Sequence, residues 1–249
     1  MTQRKKKLKA KKMTRLLAMI IVVLIVGILG LLAYQLITER SSSGAKVKIV
    51  LDAAHGGDGS GVKGLFSEDE YNAMVVNELE SLLGGNAKYE VVRTHAEAQP
   101  MNAATRVEVI DEAKADLVLS VACHNSDSPN MHGAMIFVQP ASMKTHKDSL
   151  AFGELVQKAF SDKGNEANTA VYYFHPEREG LYQEHIVAAD DATDYGEETF
   201  ILLSAKTPTV IVSQVNVDSE EDSAKWNSEE GAKSAAKLYY QAINAMFGK

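Results

Sequence analysis

His55 stands just after a short apolar, β-branched run, Val47–Leu51 (VKIVL), and just before the pair Gly56-Gly57. A strand that ends in two glycines can turn sharply and present an imidazole at the edge of a sheet. Glu68 follows in the opening turn of a predicted helix. A neutral imidazole and a carboxylate are both acceptable zinc ligands. By spacing alone the pair also allows plainer roles. His55 can be a loop histidine bonded to backbone, and Glu68 an acid favoured by the positive end of a helix, a place for which Glu70 competes. Two other strand ends carry polar groups, His124-Asn125-Ser126-Asp127 and Ser213-Gln214-Val215-Asn216.

The elements that must position these residues alternate along the chain. After the first strand, Ser67-x-x-Glu70 has the form of a capping box. Tyr71, Val75, Val76, Leu79, Leu82 and Leu83 then recur at helical spacing until Gly84-Gly85-Asn86. Lys88–Arg93 reads as a strand, Asn102 to Lys114 as a helix, Asp116–Cys123 and Gly133–Gln139 as strands, and Ser149 to Asp162 as a helix. Thr209–Val215 is a strand after Pro208, and Ser228–Phe247 a last helix with Ala232, Ala235, Ala236, Tyr239, Ala242, Ile243 and Met246 on one stripe. This order predicts an α/β fold, a mostly parallel twisted sheet flanked by helices on both faces, preceded by one transmembrane helix. Sites in such sheets form beyond the carboxyl ends of the strands. Gly164–Thr199, rich in Asp, Glu and Tyr, reads as a long insertion over one face.

The transmembrane expectation comes from the 22 uncharged residues Leu16–Ile37, which as a helix reach about 33 Å against a hydrocarbon core of about 30 Å. Eight Lys and Arg precede them, which predicts a cytoplasmic N-terminus. The apolar run is longer than a signal-peptide core and no small-x-small cleavage site closely follows it. The chain thus divides into a basic cytoplasmic tail (1–15), an anchor (16–37), a linker (38–45) and an extracytoplasmic domain (46–249). Residues 1–45 hold 9 Lys and Arg and 1 acid, so the 249-residue chain, with 26 basic and 33 acidic residues, leaves 17 basic against 32 acidic from Lys46 onward, a net of −15. A domain this acidic is a poor binder of nucleic acid. The lone Cys123 rules out an intrachain disulfide and reads as a small buried apolar residue. His95, His146, His175 and His185 have no partners at metal-like spacing and read as surface histidines. Tyr172-Tyr173-Phe174 and Tyr182 suit either a sugar or peptide groove or a core strand, and Trp226 an anchor for the last helix.

From about Lys46 to Phe247 the sequence resembles the zinc-dependent N-acetylmuramoyl-L-alanine amidases of bacteria. The resemblance is carried by Ile49-Val50-Leu51-Asp52-Ala53-Ala54-His55-Gly56-Gly57, similar to the family's D-A-G-H-G-G strand ending, and by Ser67-Glu68-Asp69-Glu70-Tyr71-Asn72, similar to its E-K-x-x-N helix start. Thr105-Arg106, the strand through Ser120-Val121, Gly133–Val138, Ser149-Leu150-Ala151 and Phe200–Leu203 with Pro208–Val212 follow in the family's order. The resemblance implies one zinc held by two histidines and a glutamate, a further glutamate as general base, and hydrolysis of the amide joining muramic acid to the stem peptide. It implies His55 and Glu68 as metal ligands.

At the other two positions the sequence departs from the family. Ala122 stands where the second zinc histidine belongs, and Ser213 where the catalytic glutamate belongs. Alanine offers no lone pair, and a serine hydroxyl is no base near neutral pH without help. Ala54 replaces the first glycine. His124 points to the same strand face as Ala122 but lies about 6–7 Å further along, so it serves as a replacement ligand only if the strand kinks or bulges. His132 and Asp127 are weaker replacements, and Glu184, Glu197 or Glu198 would have to supply the base from the insertion. Ser213 as a nucleophile lacks a G-x-S-x-G elbow. The expectation is a catalytically degraded, membrane-anchored amidase-like domain that binds peptidoglycan or an envelope protein. The alternative is an active amidase with a zinc site rebuilt on His124.

Overall fold

The computed structural model describes residues 46–55, 61–96, 99–126, 128, 130–164, 169–176, 184–186 and 201–248. The expected tail, anchor and linker, together with Gly56, Gly57, Asp127, Tyr182, Glu197 and Glu198, lie outside the described residues. Among the described residues no helix is long and apolar enough to cross a membrane. The chain divides into two compact units, Met1–Ala45 and Lys46–Lys249, and every candidate site residue belongs to the second.

The elements of this second unit are β1 (Val47–Ala53), α1 (Glu68–Gly84), β2 (Tyr89–Arg93), α2 (Ala103–Ala113), β3 (Leu117–His124), β4 (Met135–Val138), α3 (His146–Ser161), β5 (Ala170–Pro176), β6 (Glu184–Ile186), β7 (Thr209–Asn216), α4 (Glu220–Trp226) and α5 (Glu229–Phe247). The seven strands form one sheet in the order β2-β1-β3-β7-β4-β5-β6. β1 runs parallel to β2 and β3, β3 to β7, and β4 to β5. Only the β4–β7 and β5–β6 pairs are antiparallel. The mostly parallel α/β architecture read from the sequence is therefore the observed one. The region read as an insertion over one face instead contributes β5 and β6, which extend the sheet at its edge.

Central strands covered on both faces need apolar side chains in both directions, which is why β3 and β7 read as continuous hydrophobic runs. Every residue of β7 is buried. Alternation along β1 sends Ile49 and Leu51 to one face and Val50 to the other. The first face packs under α1, α3 and α5, through Val75, Leu79, Phe152, Val156, Ala235 and Tyr239 among others. The second packs under α2, through Ala103 and Ile110, and under Leu202 and Leu203. The expected capping box at Ser67 is not made. Its hydroxyl donates to Asp69 Oδ1 at 2.5 Å and leaves the helix end uncapped by that side chain. Asn102, read from the sequence as the first helical residue, instead caps α2, accepting from Thr105 N–H at 2.9 Å. Trp226 is buried at the α4–α5 junction with its ring centroid 5.8 Å from that of Phe160, in keeping with an anchoring role.

Candidate functional site

Asp52, the last fully buried residue of β1, organises one side of the site. Its carboxylate accepts hydrogen bonds from Arg106 Nη1 (2.8 Å), Ser120 Oγ (2.7 Å) and Thr94 Oγ1 (2.5 Å). These bonds tie β1 to α2, to β3 and to the end of β2. The next residue of the β2 tip continues the chain of contacts. His95 Nδ1 lies 2.8 Å from Thr94 Oγ1, and its Nε2–H donates to the backbone carbonyl of His55 at 3.0 Å. His95, read from the sequence as a surface histidine, has a side chain only 4 % exposed. This contact holds His55 in the left-handed region, φ 68°, where few non-glycine residues sit.

His55 and Glu68 are brought together, with Nε2 of the imidazole 3.5 Å from Oε2 of the carboxylate. Glu68 is almost fully buried. Its Oε1 accepts from Cys123 N–H at 2.6 Å and its Oε2 from Val62 N–H at 2.9 Å. Burial pushes its pKa up, while the charge of His55 and these backbone N–H groups pull it back. Gly61, with φ +67°, passes so close that a Cβ there would strike both the Glu68 carboxylate and the His55 ring. Beneath the pair lies a buried polar string. Asn72 Nδ2 donates to Ala54 O at 3.3 Å, Gln214 Nε2 to Asn72 Oδ1 at 3.1 Å, and Tyr239 OH to Gln214 Oε1 at 3.2 Å.

The other half of the site is the β3–β7 seam. Ala122 sits directly opposite Ser213, and the register then slips so that His124 faces Asn216. The additional residue is on β7, not after Cys123 on β3, where the sequence places a repairing bulge. His124 Nδ1 lies 2.9 Å from Ser213 Oγ. Its Nε2 is buried without a hydrogen-bond partner among the described residues. Burial lowers its pKa to about 4, so the imidazole is neutral and a weak base near neutral pH. Asp222 clasps the neighbouring backbone, accepting from Gly133 N–H at 3.1 Å and Asn216 N–H at 2.8 Å.

The remaining replacement candidates are placed elsewhere. His132 lies 3.6 Å from Glu221 across its Nε2. Glu184 is on β6, separated from β7 by β4 and β5, which puts its backbone about 14 Å away at the usual strand spacing. Cys123 is a buried free thiol whose pKa burial raises well above its ordinary value, in keeping with the apolar role read for it. His146 is half-buried, its Nδ1 2.6 Å from the Gln139 carbonyl, so it too is more than a surface residue.

A hydrolytic zinc centre needs three protein ligands and an open position for water. His55 and Glu68 supply two donors. The methyl group of Ala122 supplies none, and His124, bonded through Nδ1 to Ser213, does not converge with His55 and Glu68. Among the described residues no three His, Cys, Asp or Glu side chains converge as metal ligands would. Among the described residues the donor set stops short of the three ligands of a zinc hydrolase. Sequence reasoning missed His95, Gly61 and the shift in register along β7; only the adjacency of Thr94-His95 to a predicted strand end pointed toward the first.

Set against known proteins, residues 49–245 match the sequence family described as N-acetylmuramoyl-L-alanine amidase. No curated protein sequence matches the chain. Among solved structures, the catalytic domain of CwlV, an N-acetylmuramoyl-L-alanine amidase from Bacillus (Paenibacillus) polymyxa var. colistinus, aligns with TM-score 0.63 at 21 % identity over 82 % of this chain and 99 % of that one. The CwlD amidase of Clostridioides difficile, solved in complex with the GerS lipoprotein, aligns with TM-score 0.63 at 16 % identity over 82 % and 99 %. Ami1, the amidase of Mycobacterium smegmatis, aligns with TM-score 0.63 at 14 % identity over the same shares. At these identities the likeness is one of fold.

Proposed function

The chain belongs to the N-acetylmuramoyl-L-alanine amidase family, and from that premise we propose that it is a member that holds peptidoglycan, or a protein partner in the envelope, without cutting it. The observation that carries this reading is the β3–β7 seam, where Ala122 and Ser213 face each other at the two positions that the family fills with a ligand histidine and a catalytic glutamate. Loss of a general base alone lowers a rate by about 10²–10⁴. Loss of a ligand besides leaves a metal poorly held and poorly aimed. The His124–Ser213 pair does not replace the base, because an imidazole with a pKa of about 4 has little tendency to take a proton at neutral pH.

What these residues do well is hold three strand ends in fixed positions. Glu68 pins Val62 to Cys123, His95 pins His55, and Asp222 pins Gly133 to Asn216. A rigid rim of this kind suits recognition of a polymer that the family's active members cleave. Tethering by Leu16–Ile37, with the domain outside the cell, would keep it against the wall; the uncharged run and the basic residues before it support that placement. Cell fractionation with protease protection tests it. The CwlD amidase was solved with a lipoprotein, and a protein partner on this domain is the corresponding reading here.

A second reading is favoured by one observation, the unpartnered buried Nε2 of His124. On this reading His124 turns from Ser213 to complete a zinc site with His55 and Glu68, and the protein is an active amidase. Purified sacculi separate the two. Binding in a pelleting assay without release of stem peptide, with or without added zinc, supports the non-cutting reading. Stem-peptide release that disappears in both His55→Ala and His124→Ala, with stoichiometric zinc in the parent protein, overturns it.

A further inference from the structure

We propose that a cavity of about 330 Å³ at the corner of α3, α4 and α5 binds a peptide through its carboxylate groups, the chemistry that peptidoglycan stem peptides offer. The inference rests on the reading of this protein as a peptidoglycan binder and gives that reading a second contact point.

The cavity gathers Lys163, Lys225 and Lys237 with Trp226, Leu238 and Gln241. Its position follows from the topology. α3 ends at Ser161 and β5 begins at Ala170, opposite Met135, which in turn pairs with Ser213. Lys163 in that connection, and α4 just after the end of β7, therefore lie at the end of the sheet that carries the candidate site.

Lys225 is a fixed cation. Its Nζ donates to the carbonyls of Lys163 (2.9 Å) and Gly164 (3.0 Å) and lies 5.1 Å from the Trp226 ring centroid. Two of its three N–H groups are thus used, and one is left for a ligand. None of the three lysines is ion-paired with a carboxylate among the described residues, although Lys48, Lys158, Lys206 and Lys233 each are.

The lining favours a peptide over a bare phosphate. Trp226 and Leu238, 2 % and 3 % exposed, form the floor, and Gln241 offers an amide to another amide. With a net charge of −15 from Lys46 onward, the domain exerts no general pull on anions, so the selectivity must be local.

Trp226 is the only tryptophan in the chain, so its fluorescence reports on this cavity. The full chain is titrated with a synthetic alanyl-glutamyl peptide bearing free carboxylates, with the same peptide amidated, and with inorganic phosphate. The expected result is a saturable change with the free acid, about tenfold weaker binding for the amidated form, and about tenfold weaker binding in Lys237→Gln, the loss of one charged hydrogen bond. Lys225→Met, which also alters the environment of the indole, should weaken binding at least as much when read by calorimetry. No saturable change, equal affinity for the amidated peptide, or phosphate binding as tight as the peptide's each overturns the proposal. Sacculus pelleting by the unaltered protein is measured alongside. Retention there with a failed peptide titration sinks the cavity and leaves the function standing, whereas loss of both sinks the function.

Discussion

Asp52→Ala strikes the residue on which the site's geometry converges. In the folded protein Asp52 and Arg106 are both essentially inaccessible, 0 % and 1 % exposed, and their atoms meet at 2.8 Å. Removing the carboxylate takes from a buried guanidinium the carboxylate it meets at 2.8 Å, a change that costs about 3–5 kcal/mol. Thr94 and Ser120 lose their acceptor in the same step. Whole domains are stable by only about 5–15 kcal/mol, so the variant should lose a large share of its stability and melt roughly 10 °C lower. The double variant Asp52→Ala/Arg106→Met removes both charges and keeps most of the volume. Such replacements are often neutral or better, so it should be more stable than Asp52→Ala alone by about 2–3 kcal/mol. Urea unfolding followed by circular dichroism and by Trp226 fluorescence measures both, with the slope checked for constancy. A cost below about 1 kcal/mol for Asp52→Ala, or a double variant no more stable than the single, would show that the buried pair does not hold this corner of the fold.

Acid should weaken the fold through His124. Its folded pKa, about 4, lies below the ordinary value of 6.5, so the unfolded chain takes the proton first and stability is lost as pH falls from 6.5 toward 4, by about 2 kcal/mol at pH 5. Glu68, with its pKa raised, acts with the opposite sign, becoming less of a burden as pH falls toward its unfolded value. Comparing urea midpoints of the unaltered protein and His124→Asn between pH 7.5 and 4.5 isolates the histidine, and parallel curves would refute the assignment. Back-substitution by Ala122→His with Ser213→Glu should give about one zinc per chain by elemental analysis, whereas neither His55→Ala nor Glu68→Gln in that background should retain it; a metal-free double variant would mean that Ala122 is not the vacated ligand position. Gly61→Ala, forced into a left-handed backbone against the Glu68 carboxylate, should cost about 1–3 kcal/mol, read as a fall in melting temperature, and an unchanged melting temperature would show that the loop is free to move.

The features legible in the amino-acid sequence were those that depend on burial pattern. β3 and β7 are covered on both faces, so their apolar runs announced them, and the helical stripe of α5 was readable in Ala232, Ala235, Ala236 and Tyr239. His55 and Glu68 were legible as a pair through the resemblance of the first strand ending and helix start to those of the amidases; spacing alone left Glu70 in competition with Glu68. His95 was not, because its role comes from the pairing of Leu51 with Arg93, which sets the β2 tip beside the β1 tip; no local spacing encodes that neighbour. The slip between Ala122–Ser213 and His124–Asn216 was hidden for a related reason. A strand's period of two says which face a side chain takes, and nothing about which partner strand carries an additional residue.

The supports of the site are groups of the chain itself. Asp52 joins β1 to three other parts of the fold through groups that are present without any ion, and Asn72, Gln214 and Tyr239 form their string beneath the Glu68 carboxylate from α1, β7 and α5. Glu68 itself is satisfied by two backbone N–H groups. On the proposed reading the loss falls on Ala122 and Ser213, small side chains of the seam, with the Ser213 hydroxyl taken up by His124. On the proposed reading chemistry and architecture are separable in this domain: Ala122 and Ser213 leave hydrolysis without a ligand and a base, while the rim of strand ends that a polymer would meet is held by Asp52, Glu68 and Asp222.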